Sequence, residues 1–465
     1  MLFTSPVFLF LFLPVVLVIY YLLPNKFRNL VLIGVSLFFY AWGEGKSIAV
    51  LLLMITINWI FGLIIDRSKH KITWLMAAVI CDLAYIFYFK YLVFAATVIS
   101  SILLKTNRGP VNIPQIIMPL GVSFVTFHLI SYIVDVYRKD IRAEKKIADF
   151  ALYILMFPHL IAGPIVRYKD IGIQIKKRVY SNELFAEGIK RFIGGLAKKV
   201  LIANVMAGVA DQIFNTFPQF LTGQIVWLGL FSYTLQIYFD FSGYSDMAIG
   251  LAKMFGFNFK ENFNYPYIAD SIQDFWRRWH ISLSSWFRDY LYIPLGGNRK
   301  GTLRTIINIG IVFTLTGLWH GADWHFIFWG SYFGFFLIAE RLFLGKILEK
   351  IWKGWRHIYV MTVVMIGWLF FRVSSLSYAI YLLKVMVGIN PNKLAVYQLG
   401  AFMTKEYLAV TAAALIMATP IWKKIFEKVK INIPWAETAT LMTLFILALM
   451  QLAGDTYNPF IYFRF

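Results

Sequence analysis

Two histidines in this chain stand where an imidazole could do chemistry. His320 ends an apolar run inside TGLWHGADWHFIFWG, with Trp319 beside it and Gly317 and Gly321 around it. Glycines at such spacing let another backbone or a substrate approach closely. His280 lies within the aromatic and basic string DFWRRWHISLSSWFRDYLYIPLGGNRKG, Asp274 to Gly301. A neutral imidazole near pH 7 can take a proton from a hydroxyl, so the pair reads as one imidazole toward the outer half of a cavity and one near its inner face. Gly296 to Gly301, with Arg299 and Lys300, could cradle a phosphate through backbone N–H groups and two cations. The other histidines ask for less. His70 and His357 fall in basic, solvated stretches, and His128 (TFHLISY) and His159 (MFPHLIAGP) sit in apolar runs where an imidazole ordinarily bonds a neighbouring helix. Nothing matches a Walker loop, HExxH or G-x-S-x-G, and no metal set is expected. The single cysteine, Cys81, excludes an internal disulfide.

The elements that must hold these residues belong to a membrane. Of 465 residues, 59% are hydrophobic and 15% charged, and the mean hydropathy is +0.66. That excludes a water-soluble domain, and 18% aromatic residues exclude a disordered chain. The expectation is an all-α, polytopic membrane protein with about 11–12 spans and no separate soluble domain. The apolar stretches are 6–23, 28–42, 46–65, 72–104, 115–137, 184–214, 225–250, 303–319, 326–345, 357–372, 406–421 and 436–453. The first has no basic flank before it and reads as an uncleaved span. A net charge of +21 then reports topology rather than nucleic acid. Basic groups at 67–71, 138–146, 167–178, 277–304, 341–356 and 423–430 can share one face, the cytoplasm, with both termini outside.

Two stretches break the simple path. Residues 148–166 separate two cytoplasmic clusters, so one crossing would end on the wrong side; Pro158, Gly163 and Pro164 suit a re-entrant or interfacial segment. Residues 258–304 are too polar to cross and too aromatic to be a solvated loop, which suits an amphipathic layer at the inner interface. No internal repeat is visible, and residues 1–465 read as one membrane-embedded domain.

At these residues the chain resembles the membrane-bound O-acyltransferase (MBOAT) family, in the bacterial branch of alginate O-acetyltransferase membrane subunits and their peptidoglycan, cellulose and teichoic-acid relatives. The resemblance is carried by SLFFYAWGE, PLGVSFVTFHLISYIVDVYR, FPHLIAGPIVRY, YFDFSGYSDMAIGLAKMFGF, ENFNYPY, DFWRRWHISLSSWFRDYLYIPLGGNR, GLWHGADWHFIFWG and the terminal NPFIYFRF. It implies acetyl transfer across the bilayer of the bacterial inner membrane. A cytoplasmic donor, acetyl-CoA, would give its acyl group to a polysaccharide hydroxyl, directly or through an extracellular or periplasmic relay protein. No permanently bound cofactor is implied.

By the same resemblance His320 is the catalytic base and His280 a second polar position that orients the thioester, polarises its carbonyl or protonates the leaving thiolate. Trp276, Arg277, Arg278, Arg288, Arg299 and Lys300 would hold the donor at the inner mouth, although the cations would equally serve topology. His128 and His159 stand where glutamine is common, and His325 where a small or hydroxyl residue is expected. Peptidoglycan or teichoic-acid acylation is the alternative within the family. A polysaccharide or lipid transporter, or a non-catalytic scaffold docking through Asp455 to Phe465, is the alternative outside it.

Overall fold

The computed structural model describes residues 1–113, 115–389, 397–421, 434–454 and 460. The basic group at 423–430, and the tail from Asp455 except Phe460, lie outside them. Every described element is helical, and each apolar stretch read from the sequence is wholly or mainly helical, although 115–137 becomes helical only at Val122. Seven helices are long and apolar enough to cross a membrane among the described residues, with shorter apolar helices at Phe8–Leu22 and Leu376–Met386. The protein is a multi-pass membrane protein. The long stretch at 72–104 is one helix, Lys71–Lys105, interrupted by a π-type turn at Phe87–Tyr91.

The chain divides into two compact units, Met1–Phe192 with Met247–Lys260, and Ile193–Asp246 with Glu261–Phe465. In the first, the buried Asn58 amide donates to Asp82 at 2.7 Å, joining neighbouring helices. Residues 148–166 do not form one helix. Ile147–Leu155 stops at Met156, whose ψ of 110° leaves the helical region; Phe157–Leu160 restarts with Pro158 at its beginning, and Gly163 takes a φ of 108°. Freed backbone groups are tolerable in such a place because residues 152–166 are all buried in protein. The Tyr153 hydroxyl lies 3.2 Å from the carbonyls of His128 and Val166, bracing the break.

The second unit holds the hairpin that matters for function. Helix Gly301–His320 ends at Gly321, which is extended, and Asp323 starts helix Trp324–Ala339 by accepting from the His325 N–H at 3.1 Å. Such a carboxylate satisfies one orphan donor of the first turn. The two helices meet through glycines. A Cβ on Gly317 would overlap the Phe326 carbonyl, and one on Gly330 the Phe313 carbonyl. Close approach through small residues is how helices gain contact where lipid removes the hydrophobic drive.

Residues 258–304 form a chain of short helical pieces, Ile272–Arg278 and Ile281–Phe287 with a π-type turn at Arg288–Tyr292. Their aromatic side faces protein. Trp279 lies 4.8 Å from Trp368 between ring centroids, Trp276 5.2 Å from Phe333 and 5.9 Å from Trp329. Such ring pairs add roughly 0.5–1.5 kcal/mol each beyond area burial. Tyr267 keeps its hydroxyl satisfied by donating to the Thr234 carbonyl at 2.6 Å and accepting from Trp368 Nε1 at 3.2 Å.

Gly330→Val should therefore lower the unfolding temperature of the detergent-solubilised protein, with a loss on the order of 1–3 kcal/mol typical of overpacking. Gly310→Ala, on the facing helix but with no atom within 4 Å of an added Cβ, should leave it unchanged or raise it. Equal thermal stability of the two variants would show that the hairpin does not depend on this approach.

Candidate active site

His320 sits at the last position of its helix, 3% exposed. Three aromatic rings meet the imidazole at close to right angles, Trp319 at 4.8 Å, Trp329 at 4.9 Å and Phe371 at 5.3 Å between centroids. The hairpin supplies Trp329, and helix Lys353–Arg372 supplies Phe371. Edge and face contacts of this kind fix the ring plane without consuming both nitrogens.

A cavity of about 620 Å³ reaches Thr316, one turn earlier on the same helix, without including His320 in its lining; its size falls within the ~300–1,000 Å³ of typical small-molecule sites. Its wall along helix Gly301–His320 is the stripe Ile309, Val312, Phe313 and Thr316. Residues three and four apart share a helix face, so His320 occupies the next place on that stripe, one turn of ~5.4 Å beyond Thr316. The other wall comes from the short pieces, through Trp276, Leu283 and Phe287. The mouth carries Arg277, Arg288, Arg341 and Arg356, with Asp270, Glu340 and Glu349 among them. The cavity is thus apolar toward His320 and charged at its rim. A thioester with a phosphorylated tail has the same polarity.

Of the residues singled out by sequence, Trp276, Arg277 and Arg288 line this cavity. Arg288 is paired with Asp289 at 2.7 Å, and that hydrogen bond raises its pKa. Arg278, Arg299 and Lys300 do not line it. Arg278 bonds Asp274 one turn back at 2.8 Å and reaches the Asn264 carbonyl, while Arg299 and Lys300 are exposed on a turn. That turn, with Gly296 and Gly297 at positive φ, is tied to its helix by Asn308, which donates to the Gly297 carbonyl at 2.9 Å.

His280 is fully buried and outside the cavity lining. It stands between the two short helices at φ 44° and ψ 55°, a left-handed conformation that costs a non-glycine residue roughly 1–3 kcal/mol. Neighbouring backbone bonds hold it there: the Ile281 N–H donates to the Asn262 carbonyl at 2.9 Å, and the Asn264 N–H to that of Arg278 at 3.0 Å. Its ring lies 4.6 Å from Phe241 and 6.3 Å from Trp319. Trp319 thus separates the two histidines that the sequence paired.

The remaining histidines do other work. His325 Nδ1 is 2.8 Å from the capping Asp323, and His128 and His159 pack perpendicular to each other at 4.9 Å inside the first unit. Sequence reasoning passed over Thr316, Arg341, Arg356 and Glu340. The Glu340 carboxylate accepts from the N–H groups of Ile272 and Gln273 at 2.6 and 3.0 Å, capping the piece that carries Trp276 and Arg277. An acid at the end of an apolar run was the available signal.

Residues 123–383 match the membrane-bound O-acyltransferase family, MBOAT. The chain belongs to that family and is an O-acyltransferase. It is 40% identical over 489 residues to the "Probable alginate O-acetylase AlgI" of Pseudomonas putida, covering 100% of both chains. Against the protein of the same description from Pseudomonas aeruginosa it is 45% identical over 399 residues, covering 85% of this chain and 76% of that one. The peptidoglycan O-acetyltransferase of Helicobacter pylori is 32% identical over 519 residues, covering 100% and 98%.

Burial in an apolar setting drives the His280 pKa down to about 3, against ~6.5 in an unfolded chain. Its neutral ring therefore contributes stability that is complete above pH ~6.5 and is lost as pH falls toward 3. Thermal unfolding followed between pH 7 and pH 4 should show a falling midpoint, with a shallower fall in His280→Gln. An identical slope in both proteins would remove His280 as a source of the acid sensitivity.

Proposed function

We propose that this protein is an inner-membrane O-acetyltransferase that moves an acetyl group from cytoplasmic acetyl-CoA to a hydroxyl of an extracellular or cell-envelope polysaccharide of the alginate type. Acceptance by the sugar itself or by a relay protein leaves the chemistry at the donor unchanged. The observation that carries the reading is the cavity, which has arginines at its mouth and ends one helical turn from a histidine in an aromatic slot. The full-length similarity to alginate O-acetylases supports the acceptor class, and the Helicobacter relative keeps peptidoglycan as a second acceptor.

The donor's phosphates would rest against Arg277, Arg288, Arg341 and Arg356, since charge-assisted hydrogen bonds of guanidinium to phosphate are the stronger kind. Its thioester would lie along the Val312–Thr316 stripe. His320 takes the proton of the acceptor hydroxyl as that oxygen attacks the thioester carbon. The tetrahedral species collapses with cleavage of the carbon–sulfur bond, and the proton passes to the departing thiolate. Ester and free thiol are the products. A general base of this kind accelerates the step about 10²- to 10⁴-fold.

His320→Ala should insert and fold normally but lose acetyl-CoA turnover by about that factor, read as thiol release from reconstituted protein. Wild-type rates would overturn the assignment. Arg277→Ala with Arg288→Ala should raise the KM for acetyl-CoA about 10-fold or more, since each charged hydrogen bond contributes ~1.5–3 kcal/mol, and should leave the KM for the acceptor as it was. Arg299→Ala with Lys300→Ala should change neither constant. A rise in donor KM in that second variant instead would move the phosphate site to the Gly296–Gly301 turn.

A further inference from the structure

Asn262, in the ENFNYPY stretch, reaches His280 with its side chain. Its Oδ1 lies 3.1 Å from His280 Nδ1 and receives the Ser282 backbone N–H at 3.2 Å and the Ser282 hydroxyl at 2.9 Å. Its Nδ2 donates to Ser245 Oγ at 3.1 Å. A backbone N–H can only donate, so the atom facing Ser282 N is the amide oxygen and the amide cannot be turned over. An amide oxygen can only accept. His280 Nδ1 must then carry the hydrogen, because a lone pair there would face another lone pair.

In a neutral imidazole the other nitrogen is an acceptor. His280 Nε2 is fully buried and has no hydrogen-bond partner among the described residues. A buried polar atom left open costs free energy that a ligand's donor would recover. Among the described residues, Phe241, Trp319, Asn262 and Ser282 face the ring, and none of these four is charged. Three charges on the surrounding elements are paired with other residues, Asp240 with Lys199, Asp246 with Lys198 and Arg278 with Asp274. His320 is the titratable group across Trp319.

We infer that Asn262 is a positioning residue that locks His280 in the Nδ1–H tautomer, so that any group reaching its buried Nε2 meets a hydrogen-bond acceptor. Of the roles open to His280 from sequence, polarising the thioester carbonyl and protonating the thiolate both require a donor, and this tautomer offers none on that side. Accepting a hydrogen bond from an N–H or O–H is the role left to that nitrogen. The inference rests on the acyl-transfer reading given above.

The test uses the full chain in lipid nanodiscs, with ¹⁵N-histidine labelling and His280→Gln to assign the His280 signals among the seven histidines. Wild-type protein should show a protonated Nδ1 and a bare Nε2 at pH 7. Asn262→Leu should relax that preference and lower kcat for acetyl-CoA turnover by about 10-fold or more, as loss of a tautomer-fixing partner does in other histidine-dependent enzymes, with donor KM unchanged. Asn262→Asp keeps an acceptor oxygen in place and adds a negative charge, which raises the His280 pKa. That variant should recover activity at high pH and lose it as pH falls, with its acidic limb displaced upward from wild type. A proton on Nε2 in wild type, or an Asn262→Asp no more active than Asn262→Leu at any pH, would overturn the inference. Failure of the acyl-transfer reading would appear separately, as wild-type protein that releases no thiol from acetyl-CoA while the tautomer signal stays as described.

Discussion

The approach of two helix backbones at Gly317 and Gly330 is the constraint on which the site depends. Neither position has room for a side chain, because in each case the facing carbonyl occupies the space where a Cβ would stand. With the backbones this close, Trp329 is brought to the His320 ring and Phe333 to Trp276. Phe371 then closes the slot from a third helix. A rigid aromatic slot matters for a general base because a displacement of the base by even an ångström can remove much of the gain from orientation.

Charge and apolar surface are separated along the cavity for a physical reason. Arginines at the rim can stay hydrated when the site is empty, whereas the same charges near His320 would bear a desolvation cost with no partner. The inner end is therefore aromatic and aliphatic, and polar side chains around this unit brace the backbone through local hydrogen bonds. Glu340 caps one short helix, Asp323 another, and Asn262 binds His280 and Ser282 together. These bonds also explain how a string of short helical pieces, unstable in isolation, can hold Trp276, Arg277 and His280 in fixed places. The left-handed backbone at His280 persists because Asn262 and Asn264 bond on either side of it.

Much of the fold was legible in the residues, and part of the site. Apolar runs of about 15 residues or more between basic groups mark helices because the bilayer core requires them, and these runs are wholly or mainly helical. The break at 148–166 was legible too, from Pro158 and Gly163 and from counting sides. His320 stood out because a polar group among glycines at the end of an apolar helix is expensive unless it has a task. Less legible was the division of the basic residues. Arg277 and Arg278 are adjacent in sequence, yet successive helix positions point about 100° apart, so one lines the cavity and the other bonds Asp274.

Composition and spacing alone thus determined an all-helical, multi-pass membrane protein, and the two histidines and basic string worth attention. Those properties are local or additive, following from hydropathy, helix breaks and the cost of burying polar groups. The tertiary structure alone decided that the aromatic side of 258–304 turns into protein, that Arg341 and Arg356 join Arg277 and Arg288 at one mouth, and that Asn262 faces His280. Contacts between residues far apart in the chain depend on how closely helices pack and which faces they share, and no single stretch of sequence contains that information.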